Sequence, residues 1–314
     1  MTIILFPKFE SPIIITTGLY KVKTGEKNIM SSPILVIGAL GNVGAEVVRE
    51  LLEKKVNVRA ADMNPEKVKA KFSDSVQAVR FDFADAATYE ATFIGVEKMF
   101  LLRPPQIADV KKYMFPAIDA AKRAGVKHVV FLSLIGIENA KIVPHYKVEQ
   151  YLTQSGFETT FLRCSFFMQN LNTVHRTEIR DKNEIFVPVG NAKTSFIDAR
   201  DIGAAAAMTL TQENHANKNY DLTGSTSLDY WQATDIMSEV LGRQIEYRNP
   251  NPIHFLMETM RRGTPFIFAL VQMGLYTSTR FGMAESVTDE VEKLTGRKPI
   301  SFRQYVMDYK ESWN

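Results

Sequence analysis

The chain has 314 residues, of which 45% are hydrophobic, so it is long enough to bury the core of one large α/β domain or of one domain with a small lobe. The chain contains 38 Lys and Arg and 35 Asp and Glu, which gives a formal charge of +3. Because no run of basic residues accompanies this small charge, the sequence argues against a nucleic-acid-binding protein. One cysteine, Cys164, and five scattered histidines exclude a disulfide framework and a metal cluster, and they favour a reducing, cytoplasmic location.

Residues 1–29 precede the first regular pattern of the chain. The opening MTIILF is interrupted by Pro7 and Lys8 and lacks a small-residue cleavage site, so it makes a poor signal peptide. We predict that residues 1–29 form an extension outside the core, and the alternative is that they are an integral part of it. The longest apolar run, Pro265 to Tyr276, is shorter than the roughly 20 residues of a membrane-spanning helix, so we expect no membrane association.

Residues 30–163 alternate short β-branched runs with segments of helical period. This alternation predicts a doubly wound parallel sheet of the Rossmann type, covered by helices on both faces. The candidate strands are ILVIG, VNVRAAD, AVRFDF, KMFLL, HVVFLS and TTFLR in chain order.

Residues 164–314 are predicted to form a smaller C-terminal α/β substrate lobe over the carboxyl edge of the sheet, with one or two strands returning to it. Its helix signals include Gly242 as a C-terminal cap and a Ser301 to Gln304 capping box. Asp201 precedes the small-residue segment IGAAAAMTL and is expected to be its N-cap.

The stretch ILVIGALGNVG, beginning at Ile34, spaces three glycines evenly between an apolar strand and an amphipathic helix. Glycines also end strands and ease helix packing, but the order of strand, triad and helix predicts a turn whose N–H groups and positive helix end bind a pyrophosphate. The first glycine permits the tight turn, the second lets the backbone approach the phosphates, and the third lets the helix lie close to the strand. The predicted contacts of this turn are Gly38, Leu40, Gly41, Asn42, Val43 and Gly44.

The second strand ends at Asp62, 24 residues after Gly38, where a carboxylate can accept hydrogen bonds from an adenosine ribose. A 2′-phosphate would meet a negative charge there, and the next residue, Met63, supplies no cation, so we expect NAD more than NADP. Arg59 and Lys67 are near in sequence and leave NADP open. An Asp that ends a strand is also common as a plain turn or cap residue.

Two further strand ends supply candidate cofactor contacts. Asp82 and Phe83 close the third strand and can hold an adenine edge by a carboxylate and a backbone amide, the alternative being a helix-capping turn. Leu102 and Arg103 follow the fourth strand in LLRPPQ and should line the same groove, because ligands bind outside the carboxyl ends of such strands. Arg103 could instead be a solvated surface charge.

Six segments together resemble the NmrA-like family of atypical short-chain dehydrogenases, from about Ser32 to Trp313. They are GALGNVG, VKHVVFLSLIG, HYKVEQYLTQSGFETTFLRCSFFMQN, TSFIDARDIGAAAA, YDLTG and VTDEVEKLTGRKP. The resemblance implies an NAD(P)H-dependent oxidoreductase that transfers hydride to a small hydrophobic or aromatic acceptor such as a quinone or a dye. Family members also include regulators that bind the cofactor without turnover, so a redox sensor acting through a protein partner is the alternative. We expect a monomer or a homodimer.

The Tyr-x-x-x-Lys pair of the extended relatives is absent, because its lysine position falls on His145 and its tyrosine position on Lys141. His145 is a candidate to contact the nicotinamide ribose or to donate a proton, since its unperturbed pKa is about 6.5. A helix cap or a packed polar residue is the alternative. Ser133 matches the family position beside the nicotinamide, and Asn170 matches one that faces the substrate pocket. A strand-end turn and a helix stop are their alternatives, and no metal ligands are predicted.

Aromatic and methionine side chains of the lobe predict a pocket for a flat hydrophobic substrate, although each of them alone is as well explained by a core position. They are Phe166, Phe167, Met168, Phe255, Met257, Phe266, Phe268 and Met273.

Overall fold

The computed structural model describes residues 32–314, so the predicted extension at residues 1–29 lies outside the described residues. The strands are β1 (Ile34–Ile37), β2 (Val58–Asp62), β3 (Gln77–Arg80), β4 (Lys98–Leu101), β5 (His128–Leu134), β6 (Glu158–Cys164), β7 (Glu184–Phe186), β8 (Lys218–Leu222) and β9 (Glu246–Arg248). The helices are α1 (Asn42–Glu53), α2 (Pro65–Phe72), α3 (Tyr89–Phe93), α4 (Val110–Arg123), α5 (Pro144–Gln154), α6 (Arg176–Lys182), α7 (Ala199–Thr211), α8 (Tyr230–Leu241), α9 (Pro252–Arg261), α10 (Phe266–Thr279), α11 (Glu290–Thr295) and α12 (Phe302–Tyr309).

Seven parallel strands form one sheet in the order β3-β2-β1-β4-β5-β6-β8. The chain starts in the middle, builds outward to β3, then returns past β1 to build the other half, which is the doubly wound arrangement. The predicted fold class is therefore confirmed. The longest pairing joins β5 to β6 from His128 opposite Glu158 to Leu134 opposite Cys164, and it places Ser133 opposite Arg163.

Helices cover both faces of the sheet, because the strand side chains alternate between two apolar cores. Val36 and Val130 point into the core shared with α1 and α7. Leu35 and Phe131 point into the core shared with α3, α4 and α5. The apolar sides of the covering helices are buried in these cores, with Val47 of α1 and Met114 of α4 fully enclosed.

Beyond β6, a third apolar core joins α6, α8, α9, α10 and α12 with the separate parallel pair of β7 and β9. The fully buried Trp313 contributes to this core and donates from its indole N–H to the carbonyl oxygen of Leu171 at 3.0 Å. One strand of this half, β8, joins the edge of the main sheet beside β6. The division into domains at residue 163 stays a prediction.

Helix ends in this half follow the sequence signals with two exceptions, since only the Ser301 half of the predicted capping box is formed and Asp201 is not a cap. Gly242 ends α8 in the left-handed conformation, and Ser301 accepts from the backbone N–H of Gln304, whose own side chain donates to Asp308. The expectation that Asp201 caps α7 is wrong. Asp198 is the cap, and the buried carboxylate of Asp201 lies in the first turn and accepts from the backbone N–H of Ile300.

Across residues 32–314, no helix combines the length and the hydropathy needed to cross a bilayer. The cytoplasmic location and the oligomeric state stay predictions.

Candidate cofactor site and active site

The glycine-rich turn joins β1 to α1 at the carboxyl edge of the sheet. Gly38 has a φ of +75°, and its N–H donates to the carbonyl oxygen of Ala61 at 2.9 Å. A Cβ atom at Gly38 would lie 3.0 Å from the side chain of Leu102, and one at Gly44 would lie 2.1 Å from the carbonyl oxygen of Gly38. The turn therefore requires glycine at both positions, for conformation at the first and for close packing of α1 at the second.

The beginning of α1 is free of competing side chains. Gly41 occupies the N-cap without a side-chain hydrogen bond, and the first turn contains no acidic residue. Because the first N–H groups of a helix have no intrahelical acceptor and the helix dipole is positive there, this end is suited to an anion.

Asp62 at the end of β2 fixes the turn from the side. Its Oδ2 accepts the backbone N–H of Leu40 at 3.0 Å, which leaves the other carboxylate oxygen for a ligand. Met63, beside it, is 67% exposed. Arg59, which the sequence left open as a partner of a 2′-phosphate, instead donates to the carbonyl oxygens of Thr92 and Ile94.

The sequence did not indicate Lys71, which lies near the end of α2 and nine residues after Asp62. Burial lowers the pKa of Lys71, as does Arg49, whereas Glu46 and Asp62 raise it. Lys71 is therefore a cation in the electrostatic neighbourhood of Asp62.

Asp82 and Phe83 lie beside Asp62, because the backbone N–H of Phe81 donates to the Asp62 carbonyl oxygen at 2.9 Å. Asp82 Oδ1 accepts the backbone N–H of Ala84 at 2.8 Å, so its turn-forming role is present. The Phe83 ring is buried against Phe81. The predicted adenine contact stays a prediction.

Arg103 follows β4, and its own loop holds its guanidinium group. Nη1 donates to the carbonyl oxygens of Pro104, Pro105 and Ile107 at 3.0, 3.3 and 2.7 Å. Nε lies 3.5 Å from Nε2 of His145 in the first turn of α5. Burial lowers the pKa of Arg103, so this residue is not the solvated surface charge that the sequence left open.

Two buried polar atoms near the carboxyl end of β5, Oγ of Ser133 and Nδ1 of His145, have no hydrogen-bond partner within residues 32–314. Ser133 lies on the same face of β5 as Phe131, two residues earlier, because strand side chains alternate. The ring of His145 lies 6.0 Å from that of Phe131, so both unpartnered atoms are on one side of the sheet. Buried polar atoms are nearly always paired, and these two fit a polar ligand at the edge of the sheet.

Burial, reinforced by the Arg103 cation, lowers the pKa of His145 to about 3. The imidazole is therefore neutral at pH 7. A neutral ring favours hydrogen bonding to a ribose over the donation of a proton.

An ion pair between β6 and α5 supports this corner. Arg163 donates from Nε and Nη2 to the two carboxylate oxygens of Glu149 at 3.2 and 2.8 Å, and Glu149 is 2% exposed. Glu149 lies four residues after His145 on the same face of α5, and Arg163 lies opposite Ser133 in the sheet. The pair thus fixes α5, which carries His145, to β6, the strand that lies beside Ser133 in the sheet. The sequence did not reveal it.

Asn170 ends the short turn that follows β6 and is partly exposed. Its neighbour Gln169 is buried, donates to Asp198 and accepts the backbone N–H of Ala199, both at 2.8 Å. Gln169 therefore holds this turn against the start of α7, and Asn170 remains available for the substrate role that the sequence predicts.

The predicted aromatic pocket is divided in the structure. Met168 and Phe255 are core residues, whereas Met257, Phe266 and Phe268 point outward with at least 36% of their surface exposed. The eight apolar residues are therefore not one buried set, and their grouping in one substrate pocket stays a prediction. For Phe266 and Phe268, periodicity could not reveal this exposure, because α10 is apolar on every side.

Cys164 is buried, and burial raises the pKa of its thiol well above the ordinary value, so it is an unreactive core residue. In the part of the chain that the structure describes, no group of three or more His, Cys, Asp or Glu side chains could hold a metal ion.

The sheet order and the turn define an α/β protein of the Rossmann class. The model of the NmrA-like family matches residues 30–306, and the chain belongs to this family. The resemblance found in the sequence is confirmed.

Named relatives match most of the chain. NAD(P)H azoreductase of Xenophilus azovorans is 33% identical over 281 residues, which are 87% of this chain and 96% of that protein. Prestalk A differentiation protein A of Dictyostelium discoideum is 31% identical over 288 residues, covering 90% and 95%. Quinone oxidoreductase 2 of Escherichia coli is 26% identical over 241 residues, covering 74% and 82%.

A solved NADPH-dependent quinone oxidoreductase from Escherichia coli, complexed with NADPH, has a TM-score of 0.79 to this chain. The likeness covers 88% of this chain and 99% of that chain at 24% identity, and it shows that the two share a fold.

Proposed function

We propose that the protein is an NAD(P)H-dependent oxidoreductase that transfers hydride to a small hydrophobic acceptor, such as a quinone or a dye. The observation that carries this proposal is the pair of unpartnered polar atoms on Ser133 and His145, two strands away from the glycine turn along one sheet edge. Strands are about 4.8 Å apart, so roughly 10 Å of edge separates the two features, which suits an extended dinucleotide. The azoreductase and quinone oxidoreductase relatives support the same reaction.

The residues of this chain fit such a cofactor along its whole length. The N–H groups of residues 42–44 would hold the pyrophosphate, because those of residues 40 and 41 already donate within the turn, and Asp62 would hold the adenosine ribose. Ser133 and His145 would hold the nicotinamide end. The bound cofactor supplies the hydride from its nicotinamide ring.

The protein supplies position more than acid-base chemistry. Lys141, at the tyrosine position of the missing pair, is exposed in the turn before α5, and His145 is neutral. Tyr146 and Lys147 are adjacent on α5, so their side chains diverge by about 100° and cannot replace the pair. Hydride transfer to a conjugated acceptor depends chiefly on orientation, which a rigid sheet edge provides.

We also propose a preference for NAD over NADP, supported by the Asp62 carboxylate beside the turn and by the engagement of Arg59 elsewhere. A 2′-phosphate there would meet the charge of Asp62. Lys71 is the opposing consideration, because its cation lies in the same neighbourhood.

Turnover is the test of this function. The purified protein is mixed with NADH or NADPH and a panel of quinones and azo dyes, and the absorbance of the reduced nicotinamide is followed. We expect steady oxidation that depends on the acceptor. Gly44→Ala, which blocks the turn, should abolish it, whereas Gly274→Ala, where a Cβ meets nothing within 4 Å, should not. Tight cofactor binding without turnover on any acceptor would contradict the proposal that the protein is an oxidoreductase.

A second candidate is a regulator that binds NAD(P) and acts through a protein partner. The exposed apolar face of α10 favours it, since Phe266, Ile267 and Val271 are each at least 50% exposed. Surfaces of this kind commonly mark interaction sites. The turnover assay separates the two candidates.

A further inference from the structure

The guanidinium of Arg103 is anchored in a way that leaves one N–H directed at His145. Three carbonyl oxygens of its own loop, those of Pro104, Pro105 and Ile107, accept from Nη1. Burial is the cause that shifts the pKa of Arg103, and no carboxylate among the described residues contributes to the shift. Its orientation is therefore set by main-chain atoms, and Nε faces Nε2 of His145 at 3.5 Å.

This contact determines which nitrogen of the imidazole carries the proton. An arginine side chain has only N–H donors and stays charged, so the nitrogen that faces it must present a lone pair. A proton on Nε2 would be directed against the Nε–H of Arg103 and against its positive charge. The neutral ring with its proton on Nδ1 is the form that fits.

The Nδ1 atom is buried and has no acceptor within residues 32–314. A buried N–H without an acceptor has given up its hydrogen bond to water and gained none in return, so this donor is poised for a ligand. Ser133 Oγ, on the same side of β5, is in the same condition.

We propose that Arg103 is a positioning residue that holds His145 in the Nδ1–H tautomer, and that this N–H donates a hydrogen bond to the nicotinamide end of the cofactor. The proposal rests on the proposed function and deepens it. His145 then acts as a fixed hydrogen-bond donor at the position where the extended relatives have a lysine. The positive charge that the lysine would supply is here carried by the neighbouring Arg103.

The tautomer can be read directly in the cofactor-free protein. Long-range proton–nitrogen NMR spectra of protein labelled with ¹⁵N in histidine identify the protonated ring nitrogen, and the spectrum of His145→Gln assigns the signals. We expect Nδ1–H for His145 in the wild type and a shift toward Nε2–H in Arg103→Met. Arg59→Met is the matched control, because Arg59 also donates to two main-chain carbonyl oxygens but lies at the start of β2. It should leave the tautomer unchanged.

Binding measurements show whether the donor reaches the cofactor. We expect Arg103→Met and His145→Gln each to weaken the preferred reduced cofactor about tenfold, and the double variant to be no weaker than His145→Gln. Affinity for ADP, which lacks the nicotinamide, should not change in any of them. Should Arg103→Met fail to fold, Arg103→Gln replaces it in both measurements.

The outcomes separate this inference from the proposed function. An Nε2–H tautomer in the wild type, an unchanged tautomer in the Arg103 variant, or additive losses in the double variant would overturn the role of Arg103 while leaving an oxidoreductase intact. Failure of the wild type to bind either cofactor would defeat the proposed function and, with it, the donor role of His145.

Discussion

At the carboxyl end of β1 the groove is made of main chain, whereas at the carboxyl ends of β5 and β6 it is made of buried side chains. The glycine turn works by the absence of side chains, since Gly38 and Gly44 leave no room for them. The other end depends on Arg163 with Glu149 and on Arg103 with His145. Adding one Cβ atom to the glycine turn should abolish cofactor binding at that end of the groove. Removing one partner of a side-chain pair at the other end should only weaken stability or binding.

The largest effect is expected at Gly44. An added Cβ would meet the carbonyl oxygen of Gly38 at 2.1 Å, so Gly44→Ala must move α1 away from the sheet. We expect a loss of about 4 kcal/mol in the free energy of unfolding, measured by denaturant titration, and loss of dinucleotide binding. The control, Gly274→Ala in α10, should be stabilising by about 0.5–1 kcal/mol. Native-like stability in Gly44→Ala would contradict the account of the turn.

The next effect is expected at the carboxyl ends of β5 and β6, where Glu149 pairs with Arg163. Glu149→Gln removes the buried ion-pair partner of the Arg163 cation and leaves it the more exposed Glu138, and we expect a loss of about 3 kcal/mol in the free energy of unfolding. Glu239→Gln is the matched control, because Glu239 pairs with Arg303 at an exposed site, and its change should be close to zero. Equal losses in the two variants would show that the buried pair contributes no more than a surface one.

A third prediction contrasts a partnered histidine with His145. Burial lowers the pKa of His128 to about 4, and its Nε2 pairs with Thr160 Oγ1 at 2.8 Å. Between pH 6.5 and 4 the unfolded chain binds a proton that folded His128 does not, so stability is lost as the pH falls through this range.

The size of this loss at His128 should be at most about 2.5 kcal/mol, measured as the difference in unfolding free energy between the wild type and His128→Gln at pH 7 and pH 4.5. The variant keeps a polar partner for Thr160 but cannot titrate. Parallel pH profiles for the two proteins would argue against a lowered pKa.

The smallest effect concerns cofactor choice at Asp62. We expect Asp62→Ala to weaken NADH binding about tenfold, or about 1.4 kcal/mol, without weakening NADPH. Asp62→Asn keeps an acceptor for the Leu40 N–H while removing the charge, and it separates support of the turn from recognition of the ribose. If NADPH already binds the wild type more tightly than NADH, the preference for NAD is wrong.

The sequence alone determined the features that depend on local pattern. The alternation of apolar strands and amphipathic helices specifies the doubly wound sheet, because each element must bury one face. The spacing of Gly38, Gly41 and Gly44 specifies the turn, because a positive φ and a close helix contact both need glycine.

Tertiary structure decided whatever depends on residues distant in sequence. Arg103 and His145 are 42 positions apart, and only the adjacency of β4 and β5 brings them together and turns a titratable histidine into a neutral donor. Asp201 does not cap α7, and its carboxylate instead accepts the backbone N–H of Ile300, a residue 99 positions later in the chain. The outward face of α10 was likewise undetermined, because a helix that is apolar all round carries no signal of which side is covered.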